Sequence, residues 1–209
     1  PDVGGGFGMK GGVFPEDAMC AWSAMRLHRP VKWTATRSES LVSDTHGRDA
    51  ECLSEMALDA NGKIIAIRVL ADYGLGAYLS SSAPVPACIG SMVYPNVYEY
   101  EAMHIHIRVV FSHTTWTGPY RGAGRPEAVY VVERLLDIAA GEMGIDPVEI
   151  RKRNYIPKEK MPFTTLVPTV YDSGDFAGIT EHAAEVADLP GYPARKAETA
   201  SRRKLRGIG

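Results

Sequence analysis

The sequence predicts a mixed α/β fold of the α+β kind, and three observations predict it. Two alternating apolar runs flank a turn at Asn61-Gly62, a third alternating run covers residues 103–111, and two glycine-rich loops each lead into a segment of helical character.

The first loop, Gly4-Gly5-Gly6-Phe7-Gly8, is followed by Pro15-Glu16-Asp17 and a helix-favouring stretch with Arg26, His28 and Arg29 near its end, stopped by Pro30. Residues 31–36 alternate apolar and polar as a strand does, and residues 37–44 read as its polar continuation or as a loop. Residues 51–58 and 63–71 form an antiparallel hairpin, because the Asn-Gly pair between them accepts positive φ. Gly, Ser, Ala and Pro dominate residues 74–95, a composition suited to an irregular loop or short helical turns. After the strand at 103–111, Gly122 and Gly124 precede Arg125-Pro126-Glu127, with Pro126 at the first helical position. Val129, Val132, Leu135, Leu136, Ala139 and Met143 then recur at helical spacing up to Gly144. Asp146 and Pro147 cap and open a short helix running toward Tyr155. Residues 157–175 are a proline-broken connector, helical patterns resume over 176–187 and 193–205, and Gly207-Ile208-Gly209 reads as the start of a strand. The opening Pro1-Asp2-Val3 and this unfinished end predict a single partial domain over residues 1–209, cut from a longer protein at both ends.

Composition excludes several classes. With 45% hydrophobic and 23% charged residues the chain is globular rather than disordered or fibrous. A net charge of -2 gives no global pull toward nucleic acid or an anionic membrane. The basic residues Arg195, Lys196, Arg202, Arg203, Lys204 and Arg206 are interrupted by Glu198 and lack interleaved aromatics, so they read as a solvated helix face. Cys20, Cys52 and Cys88 stand far apart without a C-x-x-C spacing, which argues against structural zinc, an iron–sulfur cluster or a disulfide framework and for a reducing, cytoplasmic setting. No stretch approaches the ~18 apolar residues of a transmembrane helix.

The string Gly6-Phe7-Gly8-Met9-Lys10-Gly11 satisfies G-x-G-x-x-G, yet the usual contexts are missing. A dinucleotide fold needs a strand before the loop and an acidic residue ending the next strand, roughly 20 residues on; residues 31–36 end without one. No kinase catalytic strings occur, and Lys10 is not followed by Ser or Thr as a Walker loop requires. What survives is physical: glycines before a helix let backbone N–H groups approach an anion or a flat cofactor. The second loop, Tyr120-Arg121-Gly122-Ala123-Gly124-Arg125, repeats that design and adds two fixed positive charges. His104 and His106 share a strand face but lack a third ligand at a recognisable spacing, and read as ordinary strand histidines. Glu127, Glu133 and Asp137 read as cap and surface residues of the long helix, and Tyr120 either lines a pocket or packs beneath its loop.

Together, Gly4-Gly5-Gly6-Phe7-Gly8-Met9-Lys10 and, more than a hundred residues on, Tyr120-Arg121-Gly122-Ala123-Gly124-Arg125-Pro126-Glu127-Ala128 resemble the large, molybdenum-binding subunit of the xanthine oxidase, aldehyde oxidoreductase and carbon monoxide dehydrogenase family. The run Gly144-Ile145-Asp146-Pro147-Val148-Glu149-Ile150-Arg151-Lys152-Arg153-Asn154 extends the similarity along nearly the whole chain. The resemblance implies a partial molybdopterin-binding domain. Its cofactor, in bacteria usually the cytosine dinucleotide form, serves hydroxylation of a substrate carbon with oxygen from water. It implies cofactor contacts at Gly5, Gly6, Phe7, Gly8, Arg121 and Gly122, with Phe7 and the backbone of Arg121 beside the molybdenum's ligands, and a substrate pocket near Gly11, Tyr120 and Ala123. The family's general base is a glutamate near the C-terminus of the complete subunit, so no catalytic residue is expected in residues 1–209. The resemblance further implies 2Fe-2S centres and FAD on partner domains or subunits.

Departures from the family pattern narrow the implied substrate. Gly122, Ala123 and Gly124 stand where copper-containing carbon monoxide dehydrogenases have Cys, Ser and Phe, so no thiolate is offered to copper. Gly11 and Ala123 replace the glutamate and stacking phenylalanine of purine-oxidising members, and no arginine occurs between Arg68 and Arg108. By elimination the pocket resembles the aldehyde or aromatic heterocycle group. The alternatives are a non-catalytic structural or assembly relative and a nucleotide-binding domain built on the first loop.

Overall fold

The computed structural model describes residues 4–208. The expected hairpin is its spine: β1 (Ala50–Leu58) pairs antiparallel with β2 (Ile64–Gly76), with Ser54 opposite Val69. The carboxylate of Asp59 accepts the N–H groups of Asn61 and Lys63, each at 2.8 Å, and Gly62 turns the chain at φ 78°. β3 (Ala102–Phe111) runs parallel to β2 on its other edge, giving the order β1-β2-β3. The crossover between them contains α3 (Val85–Ser91).

β2 runs further than the sequence suggests because Gly74 and Gly76 are strand residues, not loop. A Cβ on Gly76 would lie 2.4 Å from the Thr115 carbonyl oxygen, so the missing side chain admits a neighbouring backbone. One face of the sheet, with Ile67, Val69, Ala71 and Tyr73, packs under α4 (Arg125–Met143), which buries Ala128, Val132, Leu136 and Ala139. The helix is turned slightly from expectation: Ala128 takes the core position and Val129 is half-exposed, and Arg125 rather than Pro126 is the first helical residue. Gly144 ends α4 in a left-handed conformation. α5 (Pro147–Asn154) is capped as expected, Asp146 accepting from the N–H of Val148 at 2.9 Å and of Glu149 at 3.0 Å. Its last residue, the fully buried Asn154, accepts from Ile64 N–H and donates to the carbonyls of Gly62 and Ile150, tying α5 to the hairpin.

Toward the N-terminus, α1 (Pro15–Leu27) follows the first loop as expected, but two expectations fail. Residues 31–36 form no strand: they have no strand partner for their backbone groups, and alternation alone does not make one. Residues 37–44, expected as loop, contain α2 (Arg37–Ser43), started by a reciprocal cap in which Thr36 Oγ1 accepts the Glu39 N–H and Glu39 accepts the Thr36 N–H at 2.7 Å. The connector after α5 holds a two-residue pair, β4 (Phe163–Thr164) with β5 (Val170–Tyr171). α6 (Phe176–Val186) and α7 (Tyr192–Ser201) follow. α7 stops short of the expected 205, and residues 207 and 208 start no strand; Gly209 and Pro1-Asp2-Val3 lie outside the described residues.

Candidate functional site

The two glycine loops meet. In the first, Gly5 (φ 108°), Phe7 (φ 51°) and Gly8 (φ 91°) have positive φ, and a one-turn 3-10 helix at Met9–Gly11 follows. A non-glycine residue in the left-handed region costs roughly 1 kcal/mol, so Phe7 is held there by contacts. Its carbonyl accepts the N–H of Arg121 at 2.9 Å, which fastens one loop to the other. Gly8 lies against the second loop so closely that a Cβ would be 2.5 Å from the Pro119 carbonyl oxygen. Gly5 makes room for the ring of Phe7, whose Cε2 would be 2.7 Å from a Cβ there. Phe7 as a whole remains 55% exposed.

The second loop strings together Gly122 (φ 97°), Ala123 (φ 46°) and Gly124 (φ 91°). A turn closes on Tyr120, whose carbonyl accepts the Ala123 N–H at 2.9 Å. Gly124 is pressed on α3, with a hypothetical Cβ 1.9 Å from the Pro86 carbonyl oxygen. Among the described residues, the N–H groups of Phe7, Gly8 and Gly122 have no acceptor, and the guanidinium of Arg121 has no carboxylate partner. These are donors and a cation at one junction, with no anion among the described residues to satisfy them.

Arg48, unremarked in the sequence, grips the second loop. Its Nη2 donates to the Arg121 carbonyl at 2.6 Å, and its Nη1 donates to the Tyr120 carbonyl at 3.2 Å and pairs with Glu127 at 3.1 Å. Its guanidinium carbon is 5.3 Å from the centre of the Tyr120 ring. Tyr120 is therefore not packed beneath its loop; it is half-exposed and flanked by Arg48. Glu127 is not a plain surface residue either, since its side chain is only 11% exposed and anchors Arg48. Nor is Glu133, which accepts from Asn96, Tyr98 and Arg151 and joins α4 to α5. Only Asp137, although bonded to Arg151, remains exposed as expected. Beside Arg48, Gly47 lets the chain pass Tyr120 closely: a Cβ there would come 2.9 Å from the Tyr120 Cβ.

The remaining candidates are scattered. Gly6 has a single neighbour near van der Waals range, and Gly11 faces open space. Ala123 is partly buried within the loop. His104 and His106 stand exposed on the outer face of β3, and among the described residues no three His, Cys, Asp or Glu gather as metal ligands. Cys52 lines a groove of about 360 Å³ with Arg48, Glu127 and Tyr130, and burial pushes its thiol above the ordinary range, so it offers no thiolate. The first loop and α1 do not form a nucleotide-binding βαβ unit, because no strand follows α1 before α2.

A mixed α/β frame presenting two clasped glycine loops defines a domain that binds an anionic or flat organic cofactor through its backbone. The family model for the molybdopterin cofactor-binding domain matches residues 1–155, and the chain belongs to this family. It is similar to the 6-hydroxypseudooxynicotine dehydrogenase complex subunit gamma of Paenarthrobacter nicotinovorans, 35% identical over 90% of this chain and 24% of that protein. It is 36% identical to the carbon monoxide dehydrogenase large chain of Hydrogenophaga pseudoflava, over 100% of this chain and 27% of that one. The solved structure of quinoline 2-oxidoreductase from Pseudomonas putida 86 matches with a TM-score of 0.90 at 30% identity, covering 97% of this chain and 26% of that one. The chain spans about a quarter of the length of these relatives. Among the described residues no helix is long and apolar enough to cross a membrane.

Proposed function

We propose that these residues are part of one molybdopterin-binding domain in the large subunit of a molybdenum hydroxylase acting on an aldehyde or aromatic heterocycle. The observation that carries this reading is the clasp from Arg121 N–H to Phe7 carbonyl, which joins the loops while leaving the N–H groups of Phe7, Gly8 and Gly122 without acceptors among the described residues. The residues fit the cofactor: the donors are neutral amides, the guanidinium of Arg121 has no carboxylate partner among the described residues, and Gly8 admits the close approach of the loops. When bound, molybdopterin carries a molybdenum centre that supplies two-electron oxidation of a substrate C–H group with oxygen drawn from water. The chain's part is positioning. Gly5, Gly6, Phe7, Gly8, Arg121 and Gly122 would hold the cofactor, Phe7 and the Arg121 backbone on its molybdenum side, and Gly11, Tyr120 and Ala123 would border the substrate.

The substrate class follows from what the loops omit. None of Cys20, Cys52 and Cys88 belongs to either loop, so the copper thiolate expected of a carbon monoxide oxidiser is not offered there. Small Gly11 and Ala123 leave width for a flat ring rather than polar anchors for a purine. Two of the similar proteins are named for pseudooxynicotine and quinoline, both built on nitrogen heterocycles. We further assign the cytosine dinucleotide form of the cofactor, 2Fe-2S and FAD groups on partner domains or subunits, a downstream glutamate as general base, and a cytoplasmic setting.

The complete protein, purified under reducing conditions, tests this. Near-stoichiometric molybdenum, released pterin and cytidine monophosphate are expected, with turnover of aldehydes or N-heteroaromatics. Folded protein without pterin defeats the reading, and steady turnover of xanthine or carbon monoxide as the best substrate defeats the substrate assignment.

A further inference from the structure

We infer that Arg48 is a positioning residue that turns the Gly122 N–H outward as the second loop's donor to the cofactor. In a trans peptide the N–H points opposite to the preceding carbonyl, and the 121–122 bond is not among the cis bonds of the chain. Arg48 Nη2 holds the Arg121 carbonyl at 2.6 Å, so the Gly122 N–H must point away from Arg48. The neighbouring peptide is fixed from both sides: its Tyr120 carbonyl accepts from Arg48 Nη1 at 3.2 Å, and its Arg121 N–H is spent on Phe7 at 2.9 Å. Of the two successive amides, then, one ties the loops together and the other is presented.

Three features mark Arg48 as placed for this task. Its backbone is held at φ 66°, an unfavourable conformation for a non-glycine residue. Glu127, in the first turn of α4, pairs with the same Nη1 that donates to the Tyr120 carbonyl, so the grip is tied to the core helix. Gly47 lets the chain pass Tyr120 at a distance no side chain would allow. A planar guanidinium addresses two adjacent carbonyls and a carboxylate at once, which a lysine ammonium on a flexible stem cannot do in the same geometry.

The inference rests on the proposed cofactor, and the test separates the two. In the complete protein, Arg48→Gln removes charge and fork, Arg48→Lys keeps the charge toward Glu127 without the fork, and Glu127→Gln keeps the fork without its ion pair. Amide exchange of the peptide spanning 119–124 is read in cofactor-free protein. Pterin release is read in loaded protein at a temperature where every variant stays folded. Exchange about tenfold faster is expected in Arg48→Gln, the order of magnitude of one lost charge-assisted hydrogen bond. Pterin release faster by a similar factor is expected in Arg48→Gln and Arg48→Lys, with the Arg48→Lys melting temperature close to that of the unaltered protein. If Arg48→Gln does not fold, Arg48→Lys alone decides on the same two readouts. Unchanged exchange overturns the inference, and so does faster exchange with unchanged pterin release, which would leave Arg48 a local staple. An unaltered protein that folds but takes up no pterin defeats the proposed function instead.

Discussion

The two glycine loops have similar compositions and very different foundations. The second is pressed on α3 at Gly124, gripped by Arg48 and continued by α4, whose Val132 and Leu136 are fully buried. The first leads into α1, which buries no residue and leaves Met19, Trp22 and Met25 more than half exposed. Its ties are the Phe7 carbonyl, the contact of Gly8 with Pro119 and the exposed pair Lys10–Asp44 at 3.4 Å. The difference teaches that, among the described residues, the second loop stands on the core and the first is joined to it through the clasp from Arg121 to Phe7.

The sharpest way to break this comparison is Gly124→Ala. A Cβ 1.9 Å from the Pro86 carbonyl oxygen, at φ 91°, forces α3 and α4 apart, so a loss of ~3 kcal/mol or more is expected, read as a collapse in soluble yield and melting temperature. Next is Glu133→Ala, which leaves the largely buried Arg151 without its main partner in the α4–α5 network. Destabilisation of about 2–4 kcal/mol is expected in urea unfolding, and an unchanged midpoint would show that α4 needs no such tie. Gly8→Ala should behave differently. Its clash is with Pro119 alone, so the first loop should detach locally: rapid proteolysis before α1 and lost pterin retention, with a global midpoint changed by less than ~1 kcal/mol. A midpoint falling as far as in Gly124→Ala would mean that the loops are one cooperative unit.

The smallest effect concerns the sheet beneath both loops. The hydrogen bonds from Arg108 hold the Asp72 carboxyl below the usual carboxylate range, so the folded state keeps this group ionised to lower pH than the unfolded chain does. Its contribution is present above the unfolded value, about pH 4, and fades as pH falls through the depressed folded value. Asp72→Asn should lower the unfolding midpoint slightly at neutral pH, and its difference from the unaltered protein should shrink away as pH falls below about 4.

Much of this was legible in the chain itself. The Asn61-Gly62 hairpin, the caps at Asp146 and Gly144 and the long helix follow from local chemistry, in which a turn residue or a cap acts on neighbours a few positions away. The Thr36–Glu39 cap of α2 was equally local and was hidden only by the polarity of the segment. The strand expected at 31–36 failed for the opposite reason: a strand is defined by a partner, and nothing in an alternating run says whether one exists. At the site, the glycines were legible because positive φ and close approach demand them. Arg48 was not, because a single arginine between Gly47 and Asp49 has no pattern until Tyr120, some seventy residues on, is brought beside it.

By itself, then, the sequence determined the hairpin, the capped helices, the two anion-ready loops and the family to which they belong, all encoded over short spans or in motif strings. Only the tertiary structure decided that β3 pairs parallel with β2, that the loops are joined from Arg121 to Phe7, and that Arg48 and Glu127 stand behind the second loop. Those are pairings across long chain separations, chosen by burial of the α4 face and by the need of backbone donors and acceptors for partners, and no local rule specifies them.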